Sequence, residues 1–366
     1  MLTRQRFLST TGPVLSAAAL SGCSTAASSY KAVSDRIWRP FRASFGDRDA
    51  MVRELVRYAT LAPSSHNTQC WTFEIKRDRI IIRPDSARRC PIVDPDDHHL
   101  FVSLGCAAEN IVQAAAVQGF HSDVRVDASD GNAVVLLLEP ASPHASDLFD
   151  AIPLRQNTRT AYNTTPVVMA DMRALERAGT GMGVRTEILT TPAQRDALRA
   201  FVLEGNTAED SNPAFVAELR RWIRFNDVDA IASGDGLLSR LSGSPSLPGW
   251  LGSALLGMFL SPKSDGEHYA SLIQHSAAFA IFVSEHDDVH HWVEAGRAYQ
   301  RFALRATTLD VRMSMLNQAV EVAAVRARFG RAFGFGSGRP DLVVRFGRGP
   351  TIGRSLRRPV DAVLVN

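Results

Sequence analysis

The sequence predicts an α+β fold built from two related halves around long core helices. Three observations carry that expectation. Helical runs with apolar residues every three or four positions are interleaved with short apolar strand runs. Two of the helical runs, 99–120 and 290–311, are long and match in character. The second half also repeats the order of elements in the first, with little residue identity. The 366 residues are 45% hydrophobic and 22% charged, an ordinary globular composition that admits one large domain or two.

The first 46 residues are read as lying outside the fold. Arg4 and Arg6 precede an apolar run through Leu20, which is too short for a permanent membrane span and fits a secretory signal over 1–22. "LSGC" at 20–23 resembles the bacterial lipobox, which marks Cys23 for lipidation and the protein for export to the periplasmic side of a membrane. "TRQRFL" at 3–8 looks like a twin-arginine signal with Gln5 in place of the second arginine, so the general and twin-arginine routes both stay open. Residues 23–46 are small and polar and read as a tether.

Folded sequence is expected from residue 47. Met51, Leu55, Ala59 and Ala62 share a helical face, Asp47 is placed to cap it and Pro63 to end it. "WTFEIK" and "RIIIRP" form a strand pair around Arg77-Asp78, the helix 99–120 follows with Gly119 at its end, and 132–140 is a buried strand. This first half spans 47–150. In the second, 151–366, "MADMRALERAG" is a helix and "GVRTEILT" a strand. "TPAQRDALRAFVLEG" is a helix with Pro192 in its first turn. "AAFAIFVSEH" is a core strand, 290–311 the second long helix, and "DLVVRFGRG" the last strand. Residues 205–265 have no counterpart in the first half and read either as an irregular insertion or as a flap over a pocket.

Several chemistries are excluded by context. A net charge of +3 gives no electrostatic case for nucleic acid, and no basic stripe with interleaved aromatics occurs. Three cysteines remain after Cys23 (Cys70, Cys90 and Cys106), an odd number without CxxC spacing, so neither a disulfide framework nor a zinc knuckle is expected. "GFGSG" at 334–338 follows a helix and opens a strand, the reverse of a dinucleotide loop, and is a turn. "HDDVHHW" at 286–292 and "DPDDHHL" at 94–100 read as helix starts with exposed histidines, and no metal site is assigned. No GxSxG elbow is present.

Three polar segments fit none of these explanations. Pro63 to Cys70 crowds hydroxyls, amides and an imidazole into one connection. Arg155, Asn157 and Arg159 alternate, so an extended backbone aims them to one side, where two guanidiniums and an amide suit a phosphate or a polar ring edge. Arg354, Arg357 and Arg358 form a further basic run before Pro359.

"LAPSSHNTQCW" resembles the (A/S)PSxxNxQPW loop of the nitroreductase superfamily, and "LRQNTRTAY" resembles its RxSxRxF-type segment. Residues 104–120 and 294–318 resemble its two core helices. The whole, ending in "RRPVDAVL", looks like the Acg family, in which two such halves are fused. The resemblance implies a three-layer fold, with the halves forming a pseudo-dimer around a central sheet and long core helices. It implies FMN between them, held by Pro63, Ser64, Ser65, His66, Asn67 and Gln69 from the first half. Arg155, Asn157 and Arg159 would come from the second, Leu316, Asn317 and Gln318 would approach the reactive ring edge, and Arg357 with Arg358 would close on the phosphate.

The resemblance departs from the family in two places. Cys70 stands where the motif has proline, which puts a thiol near the ring. Each half also holds only one of the two motifs, so one site is expected. No catalytic side chain is assigned. The implied function is an exported FMN-dependent oxidoreductase, a monomer with a small-molecule electron donor and a quinone- or nitroaromatic-like acceptor. The alternative is an FMN-binding protein that stores or sequesters flavin without turnover.

Overall fold

A computed structural model describes residues 29–42, 47–259 and 261–365, with only the backbone of 257–259. The first half contains α1 (29–37), α2 (Arg48–Thr60), β1 (Trp71–Ile75), β2 (Arg79–Pro84), α3 (His98–Val117), β3 (Phe120–Asp127), β4 (Ala133–Pro140) and α4 (Asp147–Ala151). The second begins with α5 (Met169–Ala178), β5 (Val184–Leu189) and α6 (Pro192–Asp210). Then come α7 (Pro213–Trp222), β6 (Ile223–Arg224), α8 (Asp227–Ser233), β7 (Leu237–Leu238), α9 (Gly249–Phe259) and α10 (Pro262–Gln274). It closes with β8 (Ala278–Ser284), α11 (Val289–Thr308), β9 (Arg312–Met315), α12 (Gln318–Glu321), α13 (Ala323–Ala332), β10 (Arg339–Gly347) and β11 (Leu364–Val365).

Helix boundaries follow local chemistry. The Asp47 carboxylate accepts the N–H of Ala50 at 3.0 Å, satisfying one of the orphan donors at the start of α2. Thr191 and Gln194 form a reciprocal capping box around Pro192 on α6. Asp288 accepts from His291 N at the start of α11, and His286 and His290 are exposed, as the sequence leads one to expect.

The α+β architecture is present, and each half keeps its own sheet. The first sheet runs β11–β1–β2–β4–β3 and the second β5–β8–β10–β9. The long helices α3 and α11 pack on one another between them, so a helix pair occupies the centre where one shared sheet was expected. Every residue of β8 and β10 is buried. Phe282 faces Phe302 of α11, while Phe279, Ile281 and Val283 meet Leu198, Val202 and Phe329 of α6 and α13. Covering on both faces explains why these strands read as unbroken apolar runs.

Three features depart from the sequence reading. Residues 29–42, read as tether, include helix α1, and Tyr30 within it and Trp38 just after it are buried and donate to the carbonyls of Arg354 and Ser355. Strand β11 crosses back to pair in parallel with β1, so the end of the second half completes the first sheet. In "DPDDHHL", His98 and His99 are buried rather than exposed, and it is Asp94 that caps α3, taking the N–H groups of His99 and Leu100 at 2.9 Å each. Cys23 and the leader lie outside the described residues.

Candidate functional site

The 63–70 connection is a tight, multiply anchored loop. His66, Asn67 and Gln69 all have positive φ, at 48°, 54° and 54°. Left-handed backbone at non-glycine residues is costly and persists only where the surroundings over-determine it. They do so here. Ser64 Oγ accepts Gln69 N–H at 2.9 Å, and Thr68 N–H donates to Ser65 O. Asn67 Nδ2 donates to Gly236 O at 2.9 Å and Gln69 Nε2 to Gly234 O at 2.9 Å, tying the loop to the 205–265 insertion.

Arg357 completes the anchoring. Its guanidinium donates to the carbonyls of Thr60, Leu61, Ala62 and Leu356 and to Asn67 Oδ1, with no carboxylate nearby. Burial, then the charge of Arg155, lowers its pKa to about 9.

The arginine segment pairs with the edge of the second sheet. Thr158 N–H donates to Met313 O at 2.8 Å, and Asn157 bridges to Met313. Arg345 supports it from below, donating to the carbonyls of Thr158 and Thr160. Arg155, Asn157 and Arg159 line the cleft between the halves, and Gln156 between them lines it too. Arg155 is 3% exposed and, among the described residues, gives one hydrogen bond, Nη2 to Leu61 O at 3.1 Å, with Nε and Nη1 left without a partner there.

Two adjoining cavities share Pro63, Ser64, Asn157 and Arg159 in their walls. The narrow one, about 40 Å³, is lined by Asn67, Arg155, Arg354 and Arg357 and by no carboxylate. The wide one, about 260 Å³, takes Ser65 and His66 from the loop, Asn317 and Gln318 from α12, and Val102, Ser103 and Cys106 from α3. Asn317 is held by Val343 N–H on its Oδ1 and by His99 Nε2 at 3.3 Å from its Nδ2. Burial, with the nearby charges of Arg159 and His99, holds the His66 pKa down at about 4. His66 therefore stays neutral at pH 7.

The structure thus gathers ten sequence-nominated residues around one cleft: Pro63, Ser64, Ser65, His66, Asn67, Arg155, Asn157, Arg159, Asn317 and Gln318. Arg357 lines it too, with its donors committed to the loop. Four expectations are corrected. Gln69 is fully buried and turned to Gly234 and the N–H of Arg358. Arg358 reaches Gln69 O and Ala362 O, outside both cavities. Leu316 is core, packed with Phe279 and Val343. Cys70 is buried against Leu100 O, and the thiol in the cleft wall is Cys106, which donates to Gly296 O at 3.2 Å.

The wide cavity also holds residues that sequence reasoning missed: His99, Glu209, Asp210, Asp265, Tyr269 and Glu321. Glu209 of α6 and Glu321 of α12 line it together, and Glu209 Oε1 is buried without a hydrogen-bond partner among the described residues. Burial first, then Glu321's charge, pushes the Glu209 carboxyl up well beyond the usual range. One signal was available. Glu209 and Asp210 end α6, where the helix dipole disfavours acids. Their reason for being there had to be tertiary.

No protein-family model matches the chain. Among curated proteins, the "Putative NAD(P)H nitroreductase" of two Mycobacterium tuberculosis strains, CDC 1551 / Oshkosh and H37Rv, is 28% identical over 308 residues, 82% of this chain and 85% of the relative. Among solved structures, the FMN-dependent nitroreductase NfnB of Mycobacterium smegmatis in complex with NADPH aligns with a TM-score of 0.39 and 15% identity, over 59% of this chain and 91% of that one. A nitroreductase with bound FMN from Desulfitobacterium hafniense DCB-2 aligns with a TM-score of 0.38 and 13% identity, over 60% of this chain and 97% of that one.

Proposed function

We propose that this chain is an FMN-dependent oxidoreductase of the nitroreductase type, in the fused two-half form of the Acg family. It would take electrons from a small-molecule donor such as a reduced nicotinamide nucleotide and reduce a quinone- or nitroaromatic-like acceptor. The observation that carries the reading is Arg155: a buried guanidinium with Nε and Nη1 unpartnered, in a cavity without a carboxylate that opens into a wider chamber. A buried cation without a counter-ion is costly, and a dianionic phosphate supplies what is missing. The donor set therefore fits FMN.

Arg155, Arg159 and Arg354 would hold the phosphate, with Arg357 behind them fixing the loop. Ser64, Ser65, His66 and Asn157 would flank the ring, and Asn317 and Gln318 would stand at its reactive edge. Bound FMN would supply the two-electron exchange, and the protein orients the ligands and sets the field around them. Phe215, Leu219 and Leu237 of the insertion line the wide cavity and exclude water from it. Burial raises the Cys106 pKa, so the thiol beside the site stays protonated rather than acting as a nucleophile. A monomeric working form is part of the proposal, supported by both halves of the cleft coming from one chain. We further propose export and lipid anchoring through Cys23, a reading supported by "LSGC" in the sequence.

Flavin storage is the second reading, favoured by the hydrogen bonds of the insertion to Asn67 and Gln69, which close one side of the cleft. An absorption spectrum titrated anaerobically with NADPH separates the two. Bleaching of a bound yellow flavin is expected for the oxidoreductase. A yellow protein that resists reduction would favour storage, and a colourless one that binds no added FMN would end both.

A further inference from the structure

The two cavities of the cleft have opposite chemistry. The charged groups of the narrow one are all guanidiniums; the wide one has an acceptor wall. Glu209 and Asp210 end α6, Asp265 comes from α10, and Glu321 and Gln318 come from α12. Gln318 is 8% exposed, and its Oε1 accepts no hydrogen bond among the described residues. Glu209 and Glu321 line the same wall, and burial first, then the negative charge of Glu321, raises the Glu209 carboxyl, which favours one protonated carboxyl between the two.

The other charged or titratable groups facing this wall are few. His99 on α3 lies beside Asp94 at 3.6 Å, which answers its charge. His66 is neutral at pH 7. Tyr269 on α10 and Tyr299 on α11 have their phenols held protonated by burial. Arg159 stands at the border with the narrow cavity. The charge of His99 also acts on Glu321, and Asp96 and Arg326 stand on the far side of Glu209 and Glu321, so what the cleft side of the wall lacks is a partner for Gln318 Oε1 and Glu209 Oε1.

We propose that the wide end of the cleft is the acceptor subsite and selects, among quinone- and nitroaromatic-like acceptors, those that carry a cationic amidinium- or pyridinium-like group, held by Glu209, Glu321 and Gln318. The inference deepens the oxidoreductase reading and rests on it in one respect, that the arginine end is filled by the cofactor. Entry of the cation supplies the charge that the bound proton had cancelled. That proton then leaves to solvent, and the two carboxylates face the ligand. No bond other than the O–H is broken. Anionic or neutral molecules of the same shape gain no such contact.

Calorimetric titration of the protein with benzamidine, benzamide and benzoate tests this without any turnover. Benzamidine is expected to bind at least about tenfold more tightly than benzamide, the margin of a charge-assisted over a neutral hydrogen bond. Benzoate is expected not to bind. Repeating the titration in buffers of different ionisation enthalpy should show proton release, with affinity rising from pH 6 to 8. The E209Q/E321Q double variant, checked for folding by circular dichroism, should bind benzamidine and benzamide alike. Equal binding of the two by the unmodified protein, or a preference that survives in the folded double variant, overturns the proposal. FMN titration of the unmodified protein keeps the readings apart. FMN binding without a cation preference removes only this subsite, and a cation preference without FMN binding removes the flavin reading.

Discussion

Gly105 of α3 and Gly296 of α11 face each other where the two long helices cross. A Cβ on Gly105 would lie 2.0 Å from the carbonyl oxygen of Val293, and one on Gly296 would lie 2.0 Å from that of Val102. Both clashes are with helix backbone, which cannot give way without moving a whole helix. The pair therefore sets how closely the halves approach and how wide the cleft between them is. Overpacking costs about 1–3 kcal/mol and occasionally more. We predict that Gly105→Ala and Gly296→Ala each lose about 3 kcal/mol or more, read as a lower urea midpoint. An unchanged midpoint would show that the crossing tolerates a methyl group.

Arg155→Ala should weaken FMN binding by roughly 1.5–3 kcal/mol, the value of a hydrogen bond to a charged group. Arg358→Ala, which alters a residue outside the cleft, should leave the affinity within about threefold of that of the unmodified protein. Fluorescence titration of both variants provides the comparison. Equal losses would mean that the phosphate site is misassigned.

Arg357 is a structural cation. Removing it leaves the carbonyls of Thr60, Leu61 and Ala62 without their buried donor at the end of α2. Each unsatisfied buried acceptor costs about 1–3 kcal/mol, so Arg357→Ala should destabilise the protein by at least about 3 kcal/mol. Arg357→Lys should recover only part of this, because an ammonium has three donors where the guanidinium has five. Denaturant titration of both variants would decide it.

His66 makes stability depend on pH in a stated direction. Its folded pKa is lowered from 6.5 to about 4. Below pH 6.5 the unfolded chain therefore takes up a proton that the folded chain refuses, and stability falls as pH falls through that window. The contribution is full above pH 6.5 and is lost by about pH 4. Replacing His66 by Asn, which tolerates its positive φ, should flatten the loss between these limits by no more than ~3 kcal/mol. Parallel pH–stability curves for the two proteins would assign the slope to other groups.

Cys23→Ala should move the protein from the membrane fraction to the soluble fraction. A membrane fraction unchanged by the substitution would remove the lipid-anchor proposal.

Local chemistry in the sequence determined a good deal. The cap at Asp47, the helix start at Asp288, Pro192 in the first turn of α6 and the buried runs of β8 and β10 are readable because each depends on neighbours within a few positions. So does the turn at 334–338. Arg155, Asn157 and Arg159 do come to one cleft, although Gln156 between them lines it as well. Tertiary structure alone decided the rest. Gln69 and Arg358 look like site residues in sequence, yet their hydrogen bonds go to each other and to the insertion. Cys70, which the motif placed near the ring, is buried behind Leu100, and the thiol in the cleft wall is the buried Cys106 of α3. The Glu209–Glu321 pair joins residues more than a hundred positions apart, and no local pattern encodes a contact whose cost and stabilisation both arise from burial.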